Sequence, residues 1–79
     1  MDKELFDLHI NAGKKAGQER TCGKKVAYSS EESALKAAGQ MNAKPGTRKE
    51  LEGYPCFFCS KWHVGRKMSL EELRSYVEQ

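Results

Sequence analysis

Cys56 and Cys59 are separated by two residues, and His63 follows Cys59 after three more. A C-x-x-C pair on a tight turn can aim both sulfurs at one point, and an imidazole just beyond can join them. Structural zinc takes four such ligands in a tetrahedral array, so this stretch lacks one. The remaining cysteine of the chain, Cys22, is the natural fourth. The spacing therefore predicts one structural zinc held by Cys22, Cys56, Cys59 and His63, with no position left open for chemistry. A thiol redox pair would need its first thiolate stabilised, usually at a helix N-terminus on a strand-rich scaffold. Residues 60–63 read instead as the start of a return strand. A Cys59–His63 nucleophilic couple has no recognisable oxyanion or orienting group beside it. The chain reads as a binding protein, neither an enzyme nor the host of a small-molecule substrate.

Composition makes a metal useful. Only 38% of the 79 residues are hydrophobic and 32% are charged, and a core of that size supplies only about 3–5 kcal/mol. Metal binding to an unformed site is itself folding free energy. An odd cysteine count argues against a closed disulfide framework. The charged first fifteen residues do not read as a signal peptide, and no apolar run reaches membrane-spanning length. A reducing, cytoplasmic setting away from the membrane is expected.

The elements that must position these ligands follow in order. Residues 2–16 predict a helix, with acids in its first turn, Lys14 and Lys15 in its last, and Leu5, Leu8 and Ala12 on one face. His9 on this helix reads as a surface or packed residue. Residues 18–23 are a polar connector carrying Cys22, with Gly23 free to turn behind it. Residues 24–28 form a short strand candidate with Val26 and Tyr28 on one face. Ser29 to Glu32 offers a capping box, opening a helix with Ala34, Leu35, Ala38 and Met41 as its apolar stripe. Pro45-Gly46 marks a turn. Residues 51–56 and 62–64 then make a hairpin with the ligands at its tip, and Ser69 caps a last helix over residues 70–77. The expected fold is a small α+β domain: N-terminal helix, short antiparallel sheet of two or three strands with a helix packed on it, zinc knuckle hairpin, C-terminal helix. Residues 1–17 read as a helical extension and 18–79 as the zinc-binding unit.

Charge is uneven along this plan. The net charge is only +3, but residues 44–67 carry six basic and two acidic side chains, against one and three in residues 68–79. Phe57 and Phe58 cannot both point inward from a tight turn, and Lys61, Arg66 and Lys67 flank them. Exposed rings beside cations suit nucleic acid, the rings stacking on bases and the cations meeting phosphates. Trp62 reads as core, covering the metal cluster against the Ala34–Ala38 face. The alternative to nucleic acid is a protein partner docked on the first helix (Leu5, Phe6, Leu8, Ile10) or on the acidic last helix.

The order Cys22, then K-x-x-Y-x-S (Lys25, Tyr28, Ser30), an Ala-rich helix, and Y-x-C-x-x-C-x-x-W-H-V-G-R resembles small bacteriophage Cys3His zinc-finger proteins. Tyr54, Cys56, Cys59, Trp62, His63, Gly65 and Arg66 match that ending one by one. The resemblance covers residues 22–66 and implies the Cys3His zinc fold. It would place the chain in a bacterial host cytoplasm, where a host enzyme to be bound and modulated is one partner class. It leaves the function itself open.

Overall fold

A computed structural model describes residues 1–46 and 50–79, so Arg48 and Lys49 of the basic stretch lie outside the described residues. The elements are α1 (Lys3–Ala16), α2 (Gln18–Thr21), α3 (Glu31–Asn42), β1 (Leu51–Pro55), β2 (Trp62–Arg66) and α4 (Leu70–Glu78). This is the expected α+β arrangement, with two strands in the sheet. None of the described helices is long and apolar enough to cross a membrane.

β1 and β2 pair antiparallel, with Tyr54 opposite His63 and Gly53 opposite Val64. Alternation then divides the hairpin into two faces. α3 packs across one of them, and the approach is close because Gly53 has no side chain. A Cβ added there would come within 2.8 Å of the Ala34 Cβ. Ala34 and Ala38 are buried beneath the hairpin, and with Cys56 and Leu73 they make up the buried hydrophobic residues among those described. Glu52, Tyr54 and His63 alternate onto the other face. There the His9 ring of α1 stacks on Tyr54 at 6.1 Å, and its Nε2 lies 3.0 Å from Glu52 Oε1.

The helix ends follow their caps. Asp2 accepts from the Glu4 N–H, and Gly17 at φ 95° breaks α1. α4 opens with the full Ser69–Glu72 capping box read from the sequence. Lys15 on α1 donates to the carbonyls of Tyr76 and Gln79 at the end of α4, at 2.6 and 2.8 Å. This tie satisfies carbonyls that a helix end leaves open and sets a cation against the negative end of its dipole.

Four sequence expectations are corrected. α3 is capped by Ser30, whose hydroxyl accepts from the Ser33 N–H, and not by Ser29. The backbone of Tyr28 is paired to Trp62 in both directions, at 2.7 and 2.9 Å, which delays the helix start. The strand over 24–28 reduces to that single bridge, because the segment bends to deliver Cys22 and the Val26 carbonyl to the hairpin tip. Val26 is accordingly 65% exposed. Residues 18–21 of the connector form the one-turn helix α2. Leu35 is half exposed, so the buried stripe of α3 is Ala34 and Ala38 alone.

Candidate metal centre

Four segments converge on one point. Cys56 directly follows β1, and Cys59 lies on the turn that the backbone bond from the Cys56 N–H to the Lys61 carbonyl closes at 2.8 Å. Ser60 passes through a left-handed conformation, φ 59°, to complete that turn. His63 projects from β2, fully buried. Pro55 ends β1 without cost, since its partner Trp62 directs both backbone groups outward to Tyr28.

Cys22 arrives from α2, where its N–H and that of Gly23 bond back to the Gln18 carbonyl. Gly23 sits at φ +36°, and a Cβ there would fall 2.4 Å from the Glu19 carbonyl oxygen. Only glycine passes that corner without moving backbone. The chain then runs to Val26, whose carbonyl oxygen lies 2.6 Å from His63 Nδ1.

The ligand atoms of Cys22, Cys56, Cys59 and His63 all lie within 4.8 Å of one another, and Cys59 Sγ is 3.4 Å from His63 Nε2. Bond lengths of about 2.3 Å to sulfur and 2.0 Å to nitrogen separate the corners of a tetrahedron by about 3.5–3.8 Å. The four atoms therefore could hold a single metal ion. The thiols also press on one another. Burial, then the neighbouring Cys59 and Cys56, push the Cys22 thiol up to about 11. Burial acts the same way on Cys59, but the Lys61 N–H and the thiols of Cys56 and Cys22 donate to its sulfur and bring it below its ordinary value. One thiolate is favoured while a second is resisted, and a cation among the sulfurs removes that conflict.

Around the centre, Tyr54 tilts over His63 at 5.8 Å, and its hydroxyl donates to the Thr21 carbonyl next to Cys22. Trp62 is half buried and meets the edge of Phe6 at 6.1 Å. Phe57 and Phe58 are both exposed, 40% and 37%, and lie edge to face at 5.2 Å. Lys14 of α1 stands 4.6 Å over the Phe57 ring.

The three cations read from the sequence differ in their surroundings. Lys61 is exposed and forms no ion pair among the described residues. Arg66 lies 3.3 Å from Glu72, and Lys67 lies 3.3 Å from Glu50. The Ser69 N–H and the Arg66 guanidinium hold Glu72 below the usual carboxylate range. Lys14 was not legible as a neighbour of the knuckle, because nothing in its local pattern says where the end of α1 lies. No protein-family model, curated protein or solved structure matches this chain.

Proposed function

We propose that this chain is a small zinc-bound accessory protein that binds nucleic acid through its knuckle. Three thiolates and one imidazole suit zinc among the divalent metals, and four protein ligands make the ion structural. Zinc there would tie the α2 end to the hairpin tip, and the ordering of that long loop would become part of its binding energy.

The observation that carries the binding reading is the pair of exposed rings, Phe57 and Phe58, on the turn between two ligands. Two large apolar rings of a thin-cored domain stand at its surface, with Lys14 over one of them and Lys61 two residues after Cys59. Rings can stack on unpaired bases whatever their identity, and the two lysines can meet the flanking phosphates. Arg66 and Lys67 contribute less, since a phosphate must compete with Glu72 and Glu50 for them, although such exposed pairs are weak. Phe6 of α1 meets Trp62, and Leu5, Leu8 and Ile10 are half buried in the fold. No observation favours a protein partner on that helix.

The experiment is a salt titration of the metal-loaded protein with short single- and double-stranded oligonucleotides. Single strands should bind more tightly, because their bases are free to stack. Replacing Phe57 or Phe58 by Ala should cost about 1–3 kcal/mol, and Lys61→Ala should lower the slope of log affinity against log salt by about one. No binding at low salt, or binding indifferent to all three substitutions, would retire the proposal.

A further inference from the structure

Beside the candidate metal centre and away from Phe57 and Phe58, α1, α2, the hairpin and α4 line an open cleft of about 400 Å³. Its charged wall is Arg20, Lys25 and Arg66, and no Asp or Glu lines it. Its apolar wall includes Ala12, Ala16 and the buried Leu73, with Tyr54 and Tyr76 as flat surfaces. Three like charges on one concavity repel unless something neutralises them, and low-dielectric walls concentrate their field.

The molecule supplies little neutralisation. Lys25 Nζ bonds to the uncharged Tyr54 hydroxyl at 3.0 Å. Arg20 and Lys25 form no ion pair among the described residues, and Arg66 has the half-exposed contact to Glu72 at 3.3 Å. Glu52 shares a sheet face with Tyr54 but directs its Oε1 at His9 Nε2 and stays out of the lining. Two of the three cations therefore face the cleft without a counter-anion from the described residues. The volume lies in the range of pockets that hold small organic molecules, and apolar walls with a few converging polar groups are their usual form.

We propose that this cleft binds a small organic anion. A phosphate or carboxylate head would meet Arg20, Lys25 and Arg66, and a flat apolar body would lie against Tyr54 and Tyr76. Guanidinium forks donate bidentately to the oxygens of either head group. The cleft draws on α2 and the Lys25 segment, so a ligand there would touch the loop that brings Cys22 to the metal centre. This reading does not depend on nucleic-acid binding, which is carried by Phe57, Phe58, Lys14 and Lys61, none of which lines the cleft; only Arg66 is common to both.

The test uses the metal-loaded full chain and amide chemical-shift titration with 1-naphthyl phosphate, 1-naphthoate, adenosine 5′-monophosphate, inorganic phosphate and 1-naphthol. The expected result is saturable shifts at Ala12, Ala16, Tyr54 and Tyr76 with the organic anions, and weaker binding of inorganic phosphate and of neutral naphthol. The order of naphthyl phosphate and naphthoate identifies the head group. Arg20→Gln and Lys25→Gln, both at exposed side chains, should keep the spectrum of the folded protein and each weaken binding by about tenfold, the size of a lost charge-assisted hydrogen bond. Absence of saturation by every organic anion at millimolar concentration would overturn the proposal. So would naphthol binding as well as the anions, or affinities unchanged in both variants.

Discussion

His63 Nδ1 lies 2.6 Å from the carbonyl oxygen of Val26. A carbonyl only accepts, so Nδ1 carries the proton and Nε2 is left with its lone pair, 3.4 Å from Cys59 Sγ. A metal-bound histidine commonly has this partner on its other nitrogen, fixing tautomer and ring orientation. The segment that begins at Cys22 thus delivers one ligand and orients another. Nitrogen-15 NMR of the metal-loaded protein should show a protonated Nδ1 and a metal-shifted Nε2. The opposite tautomer would break the link between the Val26 loop and the centre.

Removing the metal should unfold the chain. Structural zinc contributes about 10–16 kcal/mol in zinc-finger peptides, against about 3–5 kcal/mol from a core of this size. Protein purified without added metal should hold one zinc per chain, and a chelator should abolish its helical circular dichroism. Cys22→Ser and His63→Asn should each lose the metal. Free cysteine thiols are protonated near neutral pH and bind a metal as thiolates, so loading must expel protons, and affinity should fall on acidification. Calorimetry in buffers of different ionisation enthalpy should read more than one proton released per ion. A chain that stays folded and cooperative after chelation would remove the metal from the folding argument.

The clustering of Cys22, Cys56, Cys59 and His63 and the long elements were legible in the sequence for physical reasons. The C-x-x-C spacing, the apolar period of α1 and the Ser69–Glu72 box are local signals, and each element lies within a residue or two of where they put it. The bridge at Tyr28, the shifted cap at Ser30 and the turn of α2 were not legible, because each is set by a partner distant in sequence. Trp62 holds Tyr28, and Cys22 lies beside Cys56, Cys59 and His63, more than thirty residues later. The same holds for His9. Its helix gave no sign of Glu52, which alternates onto the same sheet face as Tyr54 and meets it 43 residues later.

Gly53 and Ala34 fix how closely α3 approaches the hairpin. A Cβ on residue 53 would stand 2.8 Å from the Ala34 Cβ and 3.4 Å from backbone atoms of α3, so relief requires moving the helix. Gly53→Ala should destabilise the metal-loaded protein by about 1–3 kcal/mol through overpacking. Ala34→Gly makes room but weakens a helix interior by about 1 kcal/mol. Denaturant melts of both single variants and the double should therefore show favourable coupling. Strict additivity would mean that the two residues do not share this contact.

The cap at Ser69 offers a local test. Its hydroxyl accepts from the Glu72 N–H at 3.1 Å, and the Glu72 carboxylate accepts from the Ser69 N–H at 3.2 Å. Ser69→Ala should cost about 1 kcal/mol. The loss should appear first in amide exchange along α4, leaving metal content unchanged. Early exchange spread evenly over the hairpin and α3 would show instead that α4 is inseparable from the core.

His9 and Glu52 make stability depend on pH in opposite senses. Their atoms lie 3.0 Å apart but out of line for a hydrogen bond, leaving both buried without one. Burial lowers His9 below 6.5 and raises Glu52 above 4.5. As pH falls through 6.5, the unfolded chain takes up a proton that folded His9 resists, so stability declines. Folded Glu52 holds its proton more tightly than the unfolded chain, so its contribution rises as pH falls toward 4.5. The His9 effect comes first on acidification from neutral pH. The stability of the native sequence minus that of His9→Gln, both metal-loaded, should therefore fall between about pH 7.5 and 5.5. Glu52→Gln should remove the opposing term and sharpen the decline at lower pH. Comparing variants that share the same metal centre separates these effects from metal release. A difference between native protein and His9→Gln that stays flat across that range would show that His9 titrates as it does in water.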